Sequence, residues 1–234
     1  MKTPLLLKHF WIFLVFLACA GACDHDESYN RDSGAAYFPL ETGLYQIFSV
    51  RELQYSGLPE PALSEYELMV EVVDSFPSGA HEYTFVIHRS KRASASDAWR
   101  ALDTWSVRKD ERQVIVSEGN TPFVKMKFPV AGGTRWNGNT FNTLPDDEYE
   151  TQVAGQITEL NGMTFENTLI IEQEHNDDVI VFHDVRREIY ARDVGLVYKE
   201  IIQLNYCTAD HCLGQQKVDH GMELKMEIKS YGKH

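Results

Sequence analysis

From Tyr37 onward, apolar residues recur in short runs rich in Val, Ile, Tyr, Phe and Thr, broken by Gly, Pro, Asn and Asp. That is the rhythm of strands rather than of helices. Near the C-terminus Met222, Leu224, Met226 and Ile228 alternate with Glu223, Lys225, Glu227 and Lys229, the period of two expected of a sheet with one wet face. Val70, Val72 and Val73, and the unbroken run Phe85-Val86-Ile87, predict strands buried more deeply. The predicted strands cover 44–52, 65–74, 82–89, 98–108, 113–118, 123–130, 149–154, 156–160, 163–173, 179–184, 187–191, 196–205 and 222–231.

The joints carry turn chemistry. Asn161-Gly162 lies between Ile157–Leu160 and Met163–Glu166 and offers the two positive φ values of a type I′ hairpin turn. Asn137-Gly138 and Lys109-Asp110-Glu111 are further hairpin or meander signals, and 56–64 and 90–97 read as polar loops. A single antiparallel meander of this many strands must curl. The expected fold is therefore mainly β with little helix, a curved antiparallel sheet forming a half-barrel or barrel-like body over 37–234.

The first 36 residues follow another pattern. Lys2 and Lys8 precede the apolar run Phe10–Ala18, and small residues Cys19-Ala20-Gly21-Ala22 follow. A membrane-spanning helix needs about 20 apolar residues, so this order reads as a cleaved signal peptide, 1–22. Ala20-Gly21-Ala22-Cys23 fits the small-residue box that precedes a lipidated cysteine in bacterial lipoproteins, although Ala20 stands where Leu is usual. Phe16-Leu17-Ala18-Cys19 is the competing site. Processing at Cys23 leaves the even pair Cys207 and Cys212, suited to a disulfide in an oxidising envelope, whereas processing at Cys19 strands Cys23 as an odd thiol. Residues 23–36, with DHDESYNRDSGAA after the cysteine, read as a lipidated, flexible acidic tether.

Charge narrows the partners. The chain holds 22 basic and 35 acidic residues; without Lys2 and Lys8 the balance is 20 against 35, a net of −15. Such a surface repels phosphate backbones, which excludes nucleic acid and leaves a covalent lipid as the expected membrane contact. A hydrophobic content of 43% is enough for a real core.

Candidate chemistry is sparse. Cys207, His211, Cys212 and His220 offer metal-ligating atoms, but C-x3-H-C-x7-H lacks the paired short spacing of zinc sites, and the expectation is a disulfide with no metal. Asp146-Asp147-Glu148 and Asn176-Asp177-Asp178, flanked by His175 and His183, lack calcium-loop spacing and read as turn residues. G-x-S-x-G, H-E-x-x-H and phosphate-binding glycine loops are absent, so no catalytic residue and no cofactor is expected, and the chain reads as non-enzymatic. Tyr37, Phe38, Tyr45, Phe48, Trp99, Trp105 and Trp136 read first as core filling, with the lining of a ligand cavity as the alternative.

Three phrases, Tyr37-Phe-Pro-Leu-Glu-Thr-Gly43, Gly133-Thr-Arg-Trp136-Asn-Gly-Asn139 and Tyr190-Ala-Arg-Asp-Val-Gly-Leu-Val-Tyr-Lys199, resemble those of uncharacterised cell-envelope lipoproteins of Bacteroidota. The resemblance spans most of the mature chain and implies outer-membrane anchoring on the periplasmic or surface face. These phrases read as structural punctuation. The architecture also invites comparison with lipoprotein carriers of the LolA and LolB type, which would imply an acyl-chain cavity. Two functions follow: a structural or binding module meeting another envelope protein, or a carrier for a lipid or small hydrophobic ligand. An unrecognised hydrolase is the last reading.

Overall fold

The computed structural model describes residues 33–57, 60–79, 82–178 and 180–234. The expected signal peptide 1–22, the candidate lipidation sites Cys19 and Cys23 and the tether as far as residue 32 lie outside the described residues.

Among the described residues, twelve strands make one antiparallel sheet: β1 (Leu44–Ser56), β2 (Ala62–Gly79), β3 (Glu82–Arg92), β4 (Arg100–Lys109), β5 (Gln113–Glu118), β6 (Thr121–Lys127), β7 (Arg135–Asn137), β8 (Glu148–Leu160), β9 (Met163–Asp178), β10 (Phe182–Ala191), β11 (Gly195–Tyr206) and β12 (Val218–Lys233). Their order is β6-β5-β4-β3-β2-β1-β12-β11-β10-β9-β8-β7, so two meanders are joined by β1 and β12. Bulges at Ile47/Phe48, Val72/Asp74, Val114/Ile115 and Ile189/Tyr190 add twist and curl. The curl brings the outer strands together: the Val124 amide donates to the Gly138 carbonyl at 2.8 Å, and Trp136 Nε1–H donates to the Val124 carbonyl at 2.8 Å. The sheet is thus a nearly closed barrel, as the meander pattern predicts.

The differences from the predicted strands are local. Segments 149–154 and 156–160 are one strand, β8, carried through a register shift at Gly155, whose φ is +81°. Likewise 182–184 and 187–191 join in β10, where a shift at Arg186/Arg187 breaks the alternation, while Ile180 and Val181, expected in a strand, stand in the turn before it. Asn161 and Gly162 have φ of +49° and +76°, the expected type I′ turn. Asn137-Gly138 is not a hairpin turn: Asn137 Oδ1 accepts the amides of Asn139 and Asp147 and organises a longer loop. The short β7 before it has no apolar alternation to announce it.

Residues 33–40 lie across one end of the barrel as a strap, with a 3-10 turn at Ala35–Tyr37. Its carbonyls are held from three sides. Val130 N–H donates to Ser33, Asp193 N–H to Ala36, and Lys109 Nζ to Ala35 and Phe38 at 3.0 and 2.8 Å. Ser33–Ala36, the end of the segment read as tether, are therefore bonded into the barrel. Gly34 has φ +79°, and a Cβ there would lie 2.5 Å from Val130. The Cys207–Cys212 disulfide closes the β11–β12 loop with a Cα separation of 5.8 Å.

Candidate functional site

The barrel interior is filled unevenly. One core cluster gathers Val114, Val124, Met126, Leu169, Ile171 and their neighbours, and a second gathers Phe48, Leu68, Val197, Met226 and Ile228. Beside them is a cavity of about 570 Å³, within the roughly 300–1,000 Å³ of small-molecule sites. The strap closes part of it with Phe38, Pro39 and Leu40. Register explains the apolar wall. Phe48 stands opposite Leu68 on β2 and Ile228 on β12, while Val50 stands opposite Tyr66 and Met226, so one parity of three adjoining strands faces inward. Val70, Val72, Ile87, Val107 and Leu196 continue that wall. Asp193, Tyr231 and Lys233 also line the space and are exposed, which places a rim of the cavity at the surface.

Adjoining the apolar wall lies a buried ionic network. Lys125 Nζ is 2.8 Å from Glu118 Oε1, an ion pair off hydrogen-bond geometry, and 3.4 Å from Glu188 Oε1. Lys199 Nζ reaches the same Glu188 oxygen at 3.1 Å, and the Tyr190 hydroxyl donates to Glu188 Oε2 at 2.6 Å. Strand pairing sets this up, because Glu188 on β10 is the register partner of Lys199 on β11. Arg89 on β3 lies 3.8 Å above the Trp105 ring and donates to Asp103 Oδ2 at 3.1 Å.

Burial alone would favour neutral groups here, and the network reverses it. Burial raises the Glu188 carboxyl, but Lys125, Lys199 and the Tyr190 hydroxyl outweigh it and hold its pKa far below the usual carboxylate range. Glu118 is likewise lowered, burial being outweighed by Lys125 and Lys199. Burial lowers the Lys125 ammonium, but Glu188 and Glu118 raise it above its ordinary value. Burial lowers Arg89, with Asp103 and Glu118 acting in opposition. Tyr190 is pushed well up by burial and by Glu188, the reverse of an activated nucleophile.

The aromatic residues divide. Phe38, Tyr45, Phe48 and Trp105 line the cavity, Tyr37 and Trp136 belong to the packed core, and Trp99 lies beneath the Arg92 guanidinium at 4.2 Å. Cys207, His211 and Cys212 have their ligand atoms within 4.8 Å of one another, but both sulfurs are spent on the disulfide. The acidic run 146–148 is also spoken for. Asp147 makes a bidentate pair with Arg186 at 2.8 and 3.0 Å, Asp146 accepts from Asn137, and Glu148 accepts from Arg135. Asp178 Oδ1 accepts the amides of Ile180 and Val181, a turn role, and His175 pairs with Glu172 rather than with His183.

Two of the three phrases singled out in the sequence do more than punctuate. Phe38 and Tyr190 contact ring to ring at 5.8 Å, and a Cβ at Gly195 (φ +94°) would meet Gln46 at 3.3 Å and Pro39 at 3.5 Å. The Tyr37–Gly43 and Tyr190–Lys199 phrases therefore wall the same cavity, while Gly133–Asn139 makes the β6–β7 seam. The ionic residues Arg89, Glu118, Lys125, Glu188 and Lys199 were not singled out by sequence reasoning. The available signal was a charge at inward parity, Glu188 sharing a face with Tyr190, but a chain this rich in charge hides it.

No protein-family model matches the chain, and no curated protein matches it. Among solved structures, the chain is similar to that of a "putative exported protein with YmcC-like fold" from Bacteroides fragilis, at 12% identity and a TM-score of 0.46, over 84% of this chain and 98% of that one.

Proposed function

We propose that this chain is a non-enzymatic lipoprotein of the bacterial cell envelope, anchored at the outer membrane through lipidated Cys23, whose barrel binds a small hydrophobic molecule. The observation that carries the binding reading is the cavity of about 570 Å³ with its apolar wall. A module with a purely structural role gains nothing from leaving such a space, since interiors otherwise pack to the density of organic crystals. Each buried ionisable group of the network is neutralised by another, and Tyr190 is held protonated, an arrangement suited to shaping a site rather than to proton transfer.

The anchor and the cavity are tested separately. Metabolic labelling with a fatty acid is expected to be lost in Cys23→Ser and retained in Cys19→Ser; the reverse moves the anchor to Cys19. For the cavity, an environment-sensitive polyene fatty acid should brighten on binding the full-length protein. Leu68→Trp, which places an indole in the space, should abolish the signal while leaving the far-ultraviolet circular dichroism unchanged. Equal brightening in both proteins would sink the binding reading.

A further inference from the structure

Cationic side chains outnumber carboxylates on the cavity lining. Away from the exposed rim, where Lys233 and Asp193 stand, three cations, Arg89, Lys125 and Lys199, line it with two carboxylates, Glu118 and Glu188. Asp103, the partner of Arg89, does not line it and is 40% exposed.

Donor and acceptor capacity are unevenly used. Both oxygens of Glu188 are occupied, Oε1 by Lys125 and Lys199 and Oε2 by Tyr190, and Glu118 Oε1 has the Lys125 ion pair without a hydrogen bond. Lys125 is spent between its two glutamates. By contrast, Lys199 uses one of its ammonium hydrogens on Glu188, and Arg89 directs one of its five N–H groups to Asp103. Their side chains are only 14% and 15% exposed, so water reaches them poorly. The hollow thus joins an apolar wall to two screened cationic donors with capacity to spare. A ligand meeting both needs is apolar along its length and anionic at its end.

From this juxtaposition we propose that the occupant is a single-chain amphiphile with an anionic head, a carboxylate or a phosphate monoester, seated with its head between Arg89 and Lys199 and its chain along Phe48, Leu68 and Val70. The inference rests on the binding reading above and adds the class of ligand. A neutral head would leave the spare N–H groups of Arg89 and Lys199 without an anionic acceptor. A cationic head would be repelled by those two side chains.

The test uses the full-length protein in lipid nanodiscs, loaded with an equimolar mixture of dodecanoate, dodecyl phosphate, dodecanol and dodecylammonium and read by native mass spectrometry. Leu68→Trp, run in parallel, subtracts ligand held by the lipid. Cavity-dependent occupancy by dodecanoate, dodecyl phosphate or both should exceed that of dodecanol by at least about tenfold, the worth of one charge-assisted hydrogen bond. Which of the two anions dominates distinguishes a fatty acid from a phosphate-headed lipid. Lys199→Met, which keeps the stem and removes the ammonium, should erase most of that preference. Equal occupancy by dodecanol and the anions, or preference for dodecylammonium, overturns the head assignment while the binding reading stands. No occupancy beyond that of Leu68→Trp overturns both.

Discussion

The two flanks of the barrel interior solve the same problem in different ways. On the flank built from β5, β6, β8 and β9, Val114, Val124, Leu169 and Ile171 are fully buried, and side chains fill the space. On the flank built from β1, β2, β11 and β12, Leu44, Val70, Leu196 and Leu224 are half-buried and border the hollow. Main-chain pairing differs at one place. β1 is laddered to β12 along Leu44–Ser56 and to β2 over Tyr45–Gln54, so that flank is held by backbone hydrogen bonds along its length. β9 is laddered over a comparable length to β8 and β10, but the β6–β7 seam has the Val124 bonds to Gly138 and Trp136, and dense packing adjoins it. Side chains therefore close the barrel where its ladder is interrupted.

That contrast can be broken first at the boundary between the flanks. Glu188→Gln leaves Lys199 without its carboxylate and Lys125 with Glu118 alone. It should cost about 3–5 kcal/mol, the penalty for stranding buried charge, measured by urea unfolding. The sign with pH is fixed by the lowered pKa of Glu188. Its contribution is fully present above the ordinary carboxylate value of about 4.3 and is lost as pH falls through that value toward the folded one. Stability of the wild type should accordingly fall in acid more steeply than that of Glu188→Gln. Parallel pH curves would show that the network adds nothing.

Next comes the pair Leu169→Ala and Val70→Ala. On the solid flank Leu169→Ala opens a new void and should cost about 2–5 kcal/mol. On the hollow flank Val70→Ala merely enlarges an existing space and should cost about 1 kcal/mol from lost burial. Similar losses at the two sites would remove the distinction between the flanks.

Much of this architecture was legible from local chemistry. Alternation in Met222–Ile228, the Asn161-Gly162 turn and the absence of helical periodicity sufficed to predict a curled antiparallel sheet. Gly155 and Arg186/Arg187 misled because a register shift keeps a strand continuous while breaking its alternation. The site was less legible for a related reason. Whether Glu188 is a surface charge or the centre of a buried network depends on Lys125, 63 residues earlier, reaching the same interior from β6. No window of sequence contains both. The hollow is harder still, since an empty space is a property of what several distant strands fail to fill.

Placing β1 against β12 also sets a timetable for assembly. A chain synthesised N-terminus first presents β1 early and its partner last, with Leu44 waiting for Lys233. Until then the sheet exists only as two separate meanders, each with β1 or β11 as an open edge, and the hollow has no far wall. Contacts this distant in sequence form slowly, and open strand edges invite aggregation. The domain is therefore built to finish after its whole length has emerged, and loss of β12 would open an edge of β1 and an edge of β11 at once.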